Sequence, residues 1–403
     1  MATLAELPAT AIPITDIDPF SDEFLSDPYA FHGSLRDVGP VFWIERYQIY
    51  GTARHAEVSE ALKRHQDFCS ARGVGLSDFA IETPWRPPSL LLEADPPQHT
   101  QMRAIMTRIV SPVALKSLRS TWTSKAEALV DDLLKRRSFD AVIDLAETFP
   151  MHVFPDTIGL RKDGREHLLR YASAVFNGFG PRNALCDDTL EATRDSAQWV
   201  AEACRRENLA PGGWGMQVYE AADAGLCTHE EAPRLVRSFL SAGVDTTVNG
   251  IGNMLAAFTA FPDEWRKLRE KPALRTKAFE EALRWDSTAQ TFFRTSSADV
   301  ELGGMLIPEG SKVLLFLAAA NRDPRRWDRA DEFDINRMSS GHVAFGFGIH
   351  QCLGQMVARL EADVLLEAMV SKIASIRPVG APVRRLNNTL HALASLPVEV
   401  EPV

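Results

Sequence analysis

The chain has 403 residues, 45% of them hydrophobic, and a formal net charge of −10. That length and apolar content suffice for a large buried core, while the acidic balance argues against nucleic acid and anionic membrane as partners. Residues 1–13 lack the basic stretch and unbroken apolar run of a secretory leader, and no segment approaches the ~20 apolar residues of a membrane span, so a cytoplasmic protein is expected. The five cysteines, Cys69, Cys186, Cys204, Cys227 and Cys352, form no C-x-x-C pair. An odd, dispersed set reads as reduced thiols, and zinc is not expected.

Along the chain, residues 41–44 and 48–50 predict two short strands joined at Glu45-Arg46-Tyr47, followed by an amphipathic helix over 54–64. Residues 83–97 are proline-rich and predict an irregular loop. Asp95-Pro96-Pro97 should then cap and open a helix, with the aspartate as N-cap. From there to about Pro272 the periodicity is mostly helical, with breaks at Phe179-Gly180-Pro181 and Pro211-Gly212-Gly213. A short strand-rich tail follows. No repeat or linker divides the chain, so one domain over residues 1–403 is expected.

Residues 345–354 read F-G-F-G-I-H-Q-C-L-G, a loop suited to holding a haem iron through the thiolate of Cys352. A cysteinate on iron needs a tight turn that directs backbone N–H groups toward the sulfur, and Gly346 and Gly348 permit it. Gly354 has no Cβ and lets the next helix begin close against the porphyrin, its N-terminal dipole adding positive potential near the thiolate. Phe345 shields the sulfur from water. Thiolate ligation favours O–O bond cleavage over oxygen carriage. The pattern F-x-x-G-x-x-x-C-x-G resembles the haem-ligand signature of the cytochrome P-450 superfamily. That resemblance implies haem b as cofactor and a mainly α, triangular fold with small β-sheets.

Thr228-x-x-Glu231 makes a capping box, and a single helix is predicted from there to about residue 260, with Pro262 just past its end. Residues 235–254 are apolar or small around the whole circumference, the mark of a helix buried through the core. Within it, Ala242-Gly243-Val244-Asp245-Thr246-Thr247 resembles the superfamily's oxygen-activation motif. Thr246 is expected to bond a carbonyl one turn back and open the helix for water and dioxygen, and Asp245 to relay protons from solvent. A cluster of helix hydroxyls and an acid satisfied by their neighbours would look the same in isolation.

The resemblance assigns His99, Arg103, Arg294 and His350 to the haem propionates. It also implies that Glu281, Arg284 and Arg337 form a buried ion cluster fixing the cysteine loop against the core, a device of specificity more than stability. Arg359 is expected in a basic patch that docks a ferredoxin. A narrower resemblance, to bacterial enzymes that oxidise para-substituted benzoates, covers R-P-P-S-L, F-N-G-F-G-P, R-S-F-L-S-A-G-V-D-T-T-V-N-G-I-G and T-F-F-R. It implies a substrate carboxylate held by Arg86, Ser89, Ser238 and Ser241, with Arg237 nearby. Leu92, Phe176, Phe179, Ala242 and Phe292 would wall an aromatic ring. Ser238 lies roughly 12 Å along the helix axis from Thr246, a span that suits a small rigid molecule.

The expected function is therefore a monooxygenase of small aromatic acids such as 4-methoxybenzoate. No flavin or NAD fingerprint is present, so electrons should come from a [2Fe–2S] ferredoxin and an NADH-dependent reductase, the enzyme itself being a monomer. A monooxygenase of another small hydrophobic molecule such as a terpenoid, a peroxide-dependent oxygenase and a haem-based sensor share the ligand loop. The last two have no use for Asp245 and Thr246.

Overall fold

The computed structural model describes residues 12–403, so the leader reading for residues 1–11 lies outside it. The two expected N-terminal strands form: Phe42–Ile44 pairs antiparallel with Ile49–Thr52 across the turn Glu45–Tyr47. They belong to a six-stranded mixed sheet that continues through Lys312–Phe316, Thr291–Ser296 and Phe68–Cys69. Its two central strands, Ile49–Thr52 and Lys312–Phe316, run parallel and are buried at every position, Thr52 and Lys312 included. The helix after the hairpin is His55–Lys63.

The larger part of the protein is helical. Its principal helices are α1 (Gln98–Ile109), α2 (Pro112–Arg136), α3 (His167–Asn177), α4 (Glu231–Ala242), α5 (Asp245–Ala260), α6 (Arg275–Trp285) and α7 (Gln355–Lys372). Helix α5 is buried at nearly every position and so runs through the core. Helix α7 lies along α2 and against α6, and α6 in turn packs on α5.

Three expectations are corrected. The helix predicted over 228–260 is two helices, α4 and α5, parted at Gly243 and Val244. The capping box itself is present, Thr228 N–H donating to Glu231 Oε2 at 2.9 Å and Glu231 N–H to Thr228 Oγ1 at 3.1 Å. Asp95 does not cap α1. Its carboxylate accepts from the N–H groups of Ser70 and Ala71, and Pro97 occupies the cap position. The middle of the chain also holds a strand that periodicity did not show: Ser138–Asp140 pairs antiparallel with the C-terminal strand Pro397–Pro402. Three residues are too short to display a period, and only the distant partner makes them a strand. Both predicted breaks, at 179–181 and 211–213, are loops. Among the described residues no helix is long and apolar enough to cross a membrane, no group of three or more His, Cys, Asp or Glu side chains gathers as a metal site, and all five cysteines are free.

Candidate active site

Helices α1, α3, α4, α5, α6 and the start of α7 enclose a cavity with Cys352 on one wall. The accessible surface of Cys352 opens onto this cavity. The loop before it is shaped by backbone geometry. Gly346 and Gly348 adopt φ of 66° and 71°, values that favour glycine. A Cβ on Gly348 would lie 2.7 Å from the Leu62 carbonyl oxygen, so this residue sits behind the cavity and seats the loop rather than facing it. Cys352 N–H donates to Phe345 O at 2.8 Å. Burial pushes the Cys352 thiol up, and the amides of Gly354 and Gln355 and the guanidiniums of Arg103 and Arg359 oppose it without cancelling it. A Cβ on Gly354 would meet only Cys352 Sγ, at 4.0 Å, and otherwise project into the cavity.

Polar atoms left over beside the cavity test whether these residues suit an iron porphyrin. Arg103, Arg294 and His350 line it, and His99 stands one layer back with its ring 4.3 Å from that of His350. Both ring nitrogens of His99, and Nε2 of His350, are buried without a hydrogen-bond partner among the described residues. His350 Nδ1 donates to Leu91 O at 3.1 Å. Burial holds His99 down at about 4 and Arg294 at about 10, and lowers His350. Arg103 and Arg294 are cations at the wall bonded to the carbonyls of Gln351 and Phe293, and Asp95 Oδ1 lies 3.8 Å from His350 Nε2 as the carboxylate nearest the histidines, so the two guanidiniums keep donors that the carboxylates of haem b would use. The residues fit the group.

The gap between α4 and α5, at Gly243, lies on the wall of the same cavity. Gly243 is pressed against Phe154, where an added Cβ would lie 2.5 Å from the ring. Thr246 Oγ1 donates to the Ala242 carbonyl at 2.7 Å, the bond expected one turn back, and Thr247 N–H reaches only to Val244 O. Ala242 and Thr246 line the cavity but Asp245 does not. Asp245 is fully buried on the other side of α5. There its Oδ1 accepts from Arg385 Nη2 at 2.8 Å and Asn249 Nδ2 at 3.1 Å. Its Oδ2 has no partner among the described residues. Burial pushes this carboxyl up, and Arg385 and Asn249 draw it back.

At the far end of the cavity the residues expected to hold a carboxylate and a ring converge: Arg86, Ser89, Leu92, Phe176, Phe179, Ser238, Ser241 and Phe292 all line it. The rings of Phe176 and Phe179 meet edge-on at 5.7 Å, and those of Phe179 and Phe292 lie 5.9 Å apart. Arg86 is not a free cation. Its Nη2 pairs with Glu93 Oε2 at 3.0 Å, both side chains largely buried, while its Nε is buried without a partner among the described residues. Further positive charge comes from α4, where Arg237 and Arg234 donate to the carbonyls of Pro87 and Pro88 at 2.6 and 2.8 Å. Ser89 Oγ accepts from the N–H groups of Leu91 and Leu92, which leaves its proton to give. Ser238 Oγ donates to Arg234 O at 3.2 Å.

Glu281 and Arg284 are fully buried and joined by two 2.8 Å bonds. Glu281 also accepts from Arg337 Nε at 3.0 Å, Ser339 Oγ at 2.6 Å and Asp334 N–H at 3.1 Å, tying α6 to the segment before the cysteine loop. Arg359 is bound to Glu280 at 2.5 and 3.0 Å, with its guanidinium 4.6 Å from the centre of the Phe345 ring, so it braces the cysteine loop and the docking patch expected of it would present a paired charge. Glu93, Arg234, Glu280 and Arg385 were not singled out from the sequence. Each matters only through a partner brought in by folding, and no local pattern marks them.

The family model described as Cytochrome P450 matches residues 216–399. Cytochrome p450 CYP199A2 of Rhodopseudomonas palustris is 52% identical over 392 residues, covering 97% of this chain and 95% of that protein. Putative cytochrome P450 126 of Mycobacterium tuberculosis is 30% identical over 400 residues, 94% of each. Among solved structures, cytochrome P450 CREJ in complex with (4-ethylphenyl) dihydrogen phosphate has a TM-score of 0.84 at 25% identity, covering 95% of this chain and 99% of that one.

Proposed function

The chain belongs to the cytochrome P450 family of monooxygenases, and on that premise we propose that its substrate is a small para-substituted aromatic carboxylate, 4-methoxybenzoate being the type compound. The observation that carries this reading is the unpartnered, buried Nε of Arg86. It belongs to a cation at the end of a phenyl-walled cavity, backed by Arg234 and Arg237 and countered by the one carboxylate of Glu93. A buried donor without an acceptor is costly, and an anionic ligand supplies the acceptor. The structural neighbour bound to (4-ethylphenyl) dihydrogen phosphate, a para-substituted ring with an anionic head, supports the same class.

Cys352 would hold haem b, which would supply activation of dioxygen, two electrons and two protons being consumed as one oxygen atom enters a C–H bond and the other leaves as water. The chain's own residues set where and how. Arg86 and the hydroxyls of Ser89 and Ser241 seat the carboxylate, with Ser238 beside them turning from the Arg234 carbonyl to join, Phe176, Phe179 and Phe292 hold the ring, and the para group then points along α4 toward Ala242 and Thr246. Thr246 keeps the gap at the α4–α5 junction open, and Asp245 supplies protons to it from the opposite side of α5. Hydroxylation of a methoxy carbon gives a hemiacetal that sheds formaldehyde. Electrons come from a [2Fe–2S] ferredoxin and its NADH-dependent reductase.

The test is a haem spin-state titration. 4-Methoxybenzoate should shift the haem toward high spin, and the neutral isostere 4-methoxybenzamide should bind tenfold to a thousandfold more weakly, since charge-assisted hydrogen bonds are worth about 1.5–3 kcal/mol each. Arg86→Ala should narrow that gap. Equal binding of acid and amide, or tighter binding of a bulky terpene, would sink the carboxylate reading and leave the monooxygenase intact.

A further inference from the structure

Asp245 and Arg385 are 140 residues apart in the chain, yet Arg385 is the cation bound to the acid. Arg385 is also the outer wall of Asp245. Its side chain is about one-third exposed and, with Glu147, Ser173, Asn177 and Leu386, lines an open groove on the far side of α5 from the cavity. Glu147, the other charged group facing the pair, is pushed up by burial and by Asp245, and drawn down by Arg385.

The residues just after Arg385 hold something different. Thr389 Oγ1 donates to the Phe176 carbonyl at 2.9 Å. Asn388 N–H donates to Asn177 Oδ1 at 2.8 Å, its Nδ2 to Asn177 O at 3.1 Å, and its Oδ1 accepts from Asn183 at 3.0 Å. Asn387 Nδ2 donates to Ser173 O at 3.0 Å. All three polar side chains are almost fully buried, and together they fix the C-terminal end of α3, the end that carries Phe176 into the cavity wall. The Thr389 carbonyl further accepts from Gln290 N–H at 2.8 Å, next to Thr288 and Ala289 of the same wall.

We propose that residues 385–389 are a coupling element: Asn388 and Thr389 hold the substrate wall, Arg385 holds the proton-supplying acid, and a ligand seated against Phe176 thereby sets the position of Asp245. Arg385 and Thr389 are positioning residues for one event, substrate-dependent proton supply. In that event the Asp245 carboxylate takes a proton from groove water and gives one up on the Thr246 side of α5, so that it is restored beside Arg385 with no net change in its charge. The inference rests on Asp245 as the proton donor proposed above.

The experiment is infrared difference spectroscopy of the ferric holoenzyme with 13C-labelled aspartate, the Asp245 carboxyl band being identified by its loss in Asp245→Asn. Thr389→Val, which touches neither Asp245 nor the cavity, should shift that band in ligand-free protein. Saturating 4-methoxybenzoate should shift it in wild type and fail to do so in Thr389→Val. Because general acid–base transfer contributes ~10²–10⁴-fold, Arg385→Gln should slow turnover roughly tenfold or more and enlarge the solvent isotope effect, with spin-state affinity within about twofold of wild type. Arg385→Lys should recover part of the loss. An Asp245 band indifferent to Thr389→Val would overturn the coupling even if Asp245→Asn is slow, whereas normal turnover in Asp245→Asn would overturn the proton-donor reading itself.

Discussion

Replacing Glu281 by glutamine tests the brace behind the cysteine loop. The wild-type carboxylate accepts two bonds from Arg284 and one each from Arg337, Ser339 and the Asp334 amide, with no solvent contact. Glutamine keeps the volume but removes the charge, and turns one acceptor into an NH2 group that must face a guanidinium or a hydroxyl. Arg284, fully buried, then carries an uncompensated charge, its acceptors being the carbonyls of Asn321, Ala330 and Glu332 and the one oxygen glutamine keeps. Breaking a buried pair in this way costs about 3–5 kcal/mol. The exposed pair Arg329 and Glu332, each side chain 56% accessible, serves as control, and Glu332→Gln should cost at most ~1 kcal/mol. The assay is the urea midpoint for loss of the thiolate-type carbon monoxide spectrum in the holoenzyme. Glu281→Gln should bring it down sharply or prevent haem loading, while Glu332→Gln leaves it in place. Equal midpoints for the two variants would refute the reasoning.

The reduced carbon monoxide complex should show the red-shifted Soret band of thiolate ligation, and Cys352→Ala should lose it; a histidine-type spectrum in wild type would end the haem-thiolate reading. Gly348→Ala forces a side chain into a left-handed backbone against Leu62 O, a strain of ~1–3 kcal/mol, and should lower the haem-to-protein ratio after purification. Thr246→Ala should let NADH oxidation continue with more peroxide and less product, and unchanged coupling would return this residue to a structural role. Burial pushes the Glu280 carboxyl up, but bonds from His342 and Arg359 outweigh it and hold it at about 2, against an ordinary 4.5. A depressed carboxylate stabilises the fold fully above pH 4.5 and loses that contribution as pH falls toward 2, so wild type should weaken across that window and Glu280→Gln should be flatter. Arg359→Gln should reduce thermal stability while leaving the salt dependence of ferredoxin reduction unchanged; a changed salt slope would restore Arg359 to the docking face.

The cysteine loop, the capping box at Thr228 and the N-terminal hairpin were legible in the sequence because each depends on neighbours a few residues away. Spacing and residue type carry that information directly. The same holds for Thr246, whose acceptor Ala242 is one helical turn back. What the chain alone left open was which charges meet. Arg86 looked like a free cation until Glu93 was brought against it, and Arg359 like a surface residue until folding placed Glu280 beside it. The motif puts Asp245 next to Thr246 but does not say which side of α5 it faces, and the turn of that helix together with Arg385 sets it away from the cavity. At the break between α4 and α5, Phe154 lies so close to Gly243 that no side chain fits there, an approach between residues 89 positions apart in the chain. Local backbone preferences act over one turn, whereas electrostatic pairing and steric crowding act through space and are decided only when the tertiary structure sets which side chains are neighbours.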